Sequence, residues 1–169
     1  MPAQKEIINR VDSSGLITID LSTILPVADK VIYDIKDNLF QGLILKEKDF
    51  RDFVKENDWS VYQDKYVGLL CSADAVIPTW AYMLLTINIQ PFASLVVMGD
   101  QNALDLAIVQ NALGQLNVVD YADKRIVIKG CSDAHVTESA YVEITRLLRP
   151  VAKSIMFGEP CSTVPIFKK

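Results

Sequence analysis

An α/β protein with a doubly wound, mainly parallel sheet is expected from this sequence on three grounds. The first is an internal match. DKYVGLLCSADAVIPTWAYMLLTINIQPFASLVVMGD, from Asp64, is matched at an offset of 59 residues by DKRIVIKGCSDAHVTESAYVEITRLLRPVAKSIMFGE, from Asp123. Asp64/Asp123, Lys65/Lys124, Ala81/Ala140, Tyr82/Tyr141, Thr86/Thr145, Pro91/Pro150 and Gly99/Gly158 are identical and fall in order through both copies. The second ground is alternation: each copy reads as a short β-branched run, a helical pattern and a second apolar run. The third is punctuation, because Pro91 and Pro150 stop the helical patterns and Gly99 and Gly158 close the return runs.

The elements follow in order. Leu16–Leu21 and Lys30–Ile35 are apolar enough to be added strands, and Glu47–Glu56 is amphipathic through Phe50, Phe53 and Val54. Residues 1–60 are an N-terminal extension ahead of the duplicated βαβ units at 64–100 and 123–159, all within one domain at 1–169. Tyr66–Leu70 and Arg125–Lys129 are the first strands of the two units, and Ser94–Met98 and Ser154–Phe157 are the return strands. In the second unit Ala140, Tyr141, Ile144, Leu147 and Leu148 keep helical spacing. Between the units, Asp100 is placed to cap a crossover helix in QNALDLAIVQNALGQL. Right-handed crossovers and a pseudo-twofold axis give one sheet with Tyr66–Leu70 beside Arg125–Lys129 at its centre. Ligands of such folds bind beyond the strand C-termini at that switch point.

Composition narrows the partners. A net charge of −4 and no basic run argue against nucleic acid or an anionic membrane surface. The N-terminus MPAQKEIINRVDSSG lacks an apolar signal core, and three cysteines are too few for a disulfide framework, so a cytoplasmic location is expected. Ala75 to Gly99 carries no charge over 25 residues. Pro78, Asn88, Gln90 and Pro91 interrupt it, and its counterpart has Glu138, Glu143, Arg146, Arg149 and Lys153, so it reads as a buried helix and strand rather than a membrane span. Its missing polar face, with Leu39, Phe40, Leu43, Ile44 and Leu45, predicts a homodimer.

The chemistry-bearing residues are few. Cys71 and Cys131 follow the first strand of each unit, and Cys161 lies between Pro160 and Pro165 in GEPCSTVP. Three readings compete: small buried residues, metal or cluster ligands, and a reactive thiol or redox pair. Cysteines are small and commonly buried. Three thiolates on one rim would instead suit zinc or an iron–sulfur cluster. His135, the only histidine, is a weaker fourth ligand or a base for a thiol. No GxGxxG, P-loop, GxSxG or HExxH motif occurs.

Taken together, DIKDNLFQGLILKEKDFR, CSADAVIPTWAYMLL, KGCSD and ESAYVEITRLLRPVAKSIMFGEPCSTVPIFK resemble a bacterial family of uncharacterised proteins, domain of unknown function 2480, over nearly the whole chain. The resemblance brings no activity. It implies iron–sulfur assembly proteins as partners, which favours a metal or iron–sulfur role in cluster assembly. A thiol-dependent small-molecule enzyme and a non-catalytic interaction module remain as alternatives.

Overall fold

The computed structural model describes residues 15–130 and 135–169. The chain divides into two compact units, one made of residues 1–26 and 109–169 (unit 1) and the other of residues 27–108 (unit 2). Both are α/β, with parallel strands alternating with helices. The boundary at Ile108/Val109 falls inside a single helix, α4 (Gln101–Leu113).

Unit 2 holds a three-stranded parallel sheet, β2 (Lys30–Asp34), β3 (Tyr66–Leu70) and β4 (Leu95–Met98), with β3 in the middle. Strand periodicity puts Val31, Tyr33, Val67, Leu69 and Val96 on one face. That face is covered by α2 (Glu47–Glu56) through Phe50 and Val54, and by α3 (Thr79–Ile89) through Ala81, Leu85 and Ile89. In α2, Glu47 and Asp49 sit in the first turn and Lys55 in the last, each on the favourable end of the helix dipole. On the opposite face Gly68 admits the chain after β4: a Cβ there would stand 2.7 Å from Ile32 Cδ1 and 2.8 Å from the Gly99 carbonyl oxygen. Lys30, at the start of β2, reaches Asp105 of α4 at 2.6 Å.

Unit 1 holds a four-stranded sheet in the order β1 (Leu16–Asp20), β5 (Arg125–Lys129), β6 (Ser154–Glu159), β7 (Ser162–Lys168). The first three strands are parallel, and β7 returns antiparallel to β6. Helix α5 (Glu138–Leu148) covers one face with Ala140, Ile144 and Leu148. The short helix α1 (Leu21–Ile24), Val109 and Leu113 complete that core. Pro165 lies in β7, an edge strand, where a missing N–H breaks no inner ladder.

The two βαβ segments repeat their elements at the 59-residue offset. β3 and β5 correspond residue for residue, as do α3 and α5. Asp64 and Asp123 both adopt left-handed backbone, φ 60° and 56°. Their N–H groups both donate to the residue after the helix-stopping proline, Phe92 and Val151, at 2.9 Å.

The strand order differs from expectation. β3 and β5 are not neighbours but belong to different sheets. Each pairs on one side with its own return strand and on the other with a strand from residues 15–34: β5 with β1, β3 with β2. LITID and KVIYD are apolar and β-branched, so each fills the free edge that a β3–β5 pairing would otherwise have filled. The tail after Gly158 also differs, because it forms β7 and places Cys161 at the tip of the β6–β7 hairpin.

Candidate functional site

Each unit ends an N-terminal strand in an aspartate that turns the chain into a short helix. In unit 2 this residue is Asp34, beside Leu70 in the parallel register and therefore next to the loop that leaves β3. Its Oδ1 accepts the Lys36 N–H at 3.1 Å and the Ser72 N–H at 3.0 Å. Its Oδ2 accepts the Ser72 hydroxyl at 2.5 Å and lies 3.1 Å from Lys36 Nζ. Burial alone would raise the Asp34 pKa. The Ser72 and Lys36 donors outweigh it and hold the carboxyl at about 2. Asp34 thus caps the 3-10 turn Ile35–Asn38 and ties the β3 loop to β2.

That loop carries Cys71, half-buried, with its thiol donating to the Ala73 carbonyl at 3.6 Å. The Tyr82 phenol on α3 is raised first by burial and then by the charges of Cys71 and Asp34. Lys36 is raised chiefly by Asp34, with Asp37 and then Cys71 contributing. A thiol, a phenol, an ammonium and a carboxylate thus share one local field at the C-terminal rim of unit 2.

Unit 1 repeats the aspartate. Asp20 accepts the Ser22 N–H at 3.1 Å and the Ser22 hydroxyl at 2.7 Å, and pairs with Lys129 Nζ at 3.0 Å. The Ser22 hydroxyl and then Lys129 hold its carboxyl below the usual range. At the offset of Cys71 stands Gly130, φ 131°, where a Cβ would lie 3.1 Å from Leu21 Cβ. A side chain at that point would be strained by the positive φ and would press against Leu21. His135 Nε2 is 3.3 Å from the Ser22 carbonyl oxygen, an acceptor only, so the bond uses the Nε2–H tautomer.

The sequence-predicted ligands are distributed as follows. Cys71 belongs to unit 2, Cys161 is exposed in unit 1, and both are free thiols. Cys131 lies outside the described residues. His135 is occupied by a backbone carbonyl. Among the described residues no group of three His, Cys, Asp or Glu side chains is placed to hold a metal ion. Sequence reasoning missed Asp20 and Asp34. The signal was an aspartate closing an apolar strand just before a buried aliphatic, in TIDLS and IYDIK.

Among the described residues no helix is long and apolar enough to cross a membrane. The helix under suspicion, α3, spans only Thr79–Ile89. No curated protein and no solved structure matches this chain. Residues 5–169 match the family described as Protein of unknown function (DUF2480).

Proposed function

The chain belongs to the DUF2480 family, and from that premise we propose that it is a protein-interaction module whose partner through α3 is a second copy of itself. The observation that carries this reading is that α3 has no charged residue and no polar face. It buries Ala81, Leu85 and Ile89 and exposes Met83 at 62% and Ile87 at 67%, with Val76 just before it at 92%. A helix apolar on every side is ordinarily buried on every side. The same positions of the second segment, at the 59-residue offset, are His135, Val142 and Arg146, and Glu143 stands where α3 has Leu84. Glu143 and Arg146 pair at 2.6 Å on the face that α3 leaves apolar. The fold therefore tolerates charge there, and α3 omits it. A twofold contact pairs the same patch on both copies, so an uncharged face meets itself without repulsion. Light scattering across micromolar concentrations should show a dimer that Ile87→Arg converts to a folded monomer. A wild-type monomer throughout that range would refute the reading.

A second reading, thiol chemistry at Cys71, is favoured by the bond to Ala73 and the Asp34–Ser72 tie that position it. Alkylation of Cys71 that is no faster in the native protein than in the urea-unfolded chain would count against it. Zinc or iron–sulfur binding at Cys71, Cys131 and Cys161, with assembly proteins as partners, draws its support from the sequence alone. Metal retained through anaerobic purification and lost in Cys71→Ser would supply the chemistry for that role.

A further inference from the structure

A cavity of about 300 Å3 opens along the free edge of β2 in unit 2, lined by Tyr33, Asp34, Asp37, Asn38, Phe53 and Tyr62 together with the aliphatic Ile32. Three of these seven are aromatic. Tyr33 and Tyr62 stand 6.4 Å apart at 58°. Trp59, buried behind them, lies 6.1 Å from Tyr33, stacks on Tyr62 at 6.1 Å and meets Phe53 edge-on at 6.1 Å. The rings are therefore braced against one another and cannot collapse into the space. Two of the remaining four are carboxylates. Asp34 is already engaged by Lys36 and Ser72, whereas Asp37 is exposed and makes no ion pair among the described residues. The Tyr33 hydroxyl donates to Asn38 Oδ1 at 2.7 Å, so its oxygen lone pairs remain available to a donor.

Ring faces carry negative potential, and a positive group held over them within a few ångströms is attracted, the more so as water is excluded. A carboxylate at the mouth adds the neutralising charge. No cation of the protein fills the cavity, since Lys36 turns to Asp34 and neither lysine nor arginine lines it. We propose that this cavity binds a small organic cation, an ammonium or guanidinium on a short aliphatic stem, with the head over Tyr33, Tyr62 and Phe53 and its charge met by Asp37. The volume lies at the lower end of ligand sites, which suits one such group rather than a drug-sized molecule. The inference is independent of self-association through α3.

The test is a titration of the full chain, in a Trp80→Phe background, with butylguanidinium, tetramethylammonium and N-acetylarginine amide. KCl keeps the ionic strength constant, and the readouts are Trp59 fluorescence and the backbone amide shifts of residues 33–38. Saturable binding is expected, weakened about tenfold by Asp37→Asn and by Tyr62→Leu and unaffected by Asp123→Asn in unit 1. Tighter binding of N-acetylarginine amide than of butylguanidinium assigns the natural source to a peptide side chain, and the reverse assigns it to a free small-molecule cation. Asp37 is exposed, so its variant folds even if Tyr62→Leu does not. No saturable response, a response equal to that of KCl, or one unchanged by Asp37→Asn overturns the proposal.

Discussion

Replacing Asp34 by asparagine removes one charge and leaves the shape of the side chain. The amide keeps one oxygen for the Lys36 and Ser72 N–H groups, but it loses the charge that Lys36 Nζ and the Ser72 hydroxyl engage. The gap between about 2 and the ordinary 3.8 caps the charge-linked stabilisation. At about 1.36 kcal/mol per pKa unit, that ceiling is about 2.5 kcal/mol. The side chain is 17% exposed, and solvent screening trims the expected loss to about 1–1.5 kcal/mol. The pH dependence follows from the sign. A carboxyl whose folded pKa is depressed stabilises fully above its unfolded pKa and loses that contribution as pH falls through the folded one. Urea unfolding of both proteins between pH 7 and pH 2 should show the difference intact down to about pH 4.5, then shrinking toward zero near pH 2. In a chain whose other two cysteines are serine, iodoacetamide should also reach Cys71 several-fold faster in Asp34→Asn, because the loop loses its tie to β2. Equal stability at pH 7, or a difference that stays constant down to pH 2, would refute the clamp.

Leu85 and Ile144 occupy the same position of α3 and α5 and are both fully buried. Alanine at either should cost about 2–5 kcal/mol in denaturant unfolding, and a cost under about 1 kcal/mol would contradict the packing. Gly68→Ala should destabilise by about 1–3 kcal/mol, since its Cβ meets the Gly99 carbonyl as well as a movable Ile32 methyl. An unchanged melting temperature there would show that the β4 loop can move away.

The local elements were legible because their signals are local. Glu47–Glu56 was read to its ends from the spacing of Phe50, Phe53 and Val54, and Tyr66–Leu70 and Arg125–Lys129 stand where their β-branched runs do. Strand order was not legible, since which parallel strand fills an edge depends on competition among segments distant in sequence. LITID and KVIYD won that competition against a β3–β5 pairing, and nothing in either run announces its partner. The tail misled for a different reason. Pro160 and Pro165 suggested a rigid tether, yet STVPIFK is β-branched, and an edge strand accepts a proline. At the rims, cysteines drew the eye by their rarity, while Asp20 and Asp34, ordinary in composition, make the denser hydrogen bonding. Of the three cysteines, Cys131 falls outside the described residues.

The pairing of β1 with β5 bears on how the chain acquires its fold. Leu16 pairs with Arg125, and the whole of unit 2 lies between them in sequence. Unit 2 assembles its sheet and its α2–α3 core from residues 27–108 alone, so a growing chain can complete it while β1 has no partner. Until β5 emerges, LITID presents an unpaired apolar edge, the kind of surface on which nascent chains aggregate. A prior fold of unit 2 would shorten the slack between β1 and β5 and lower the entropy lost in closing that long loop. Synthesis direction and topology together thus favour an inside-out order of assembly, in which the inserted unit matures first and the enclosing one is sealed last by its C-terminal hairpin.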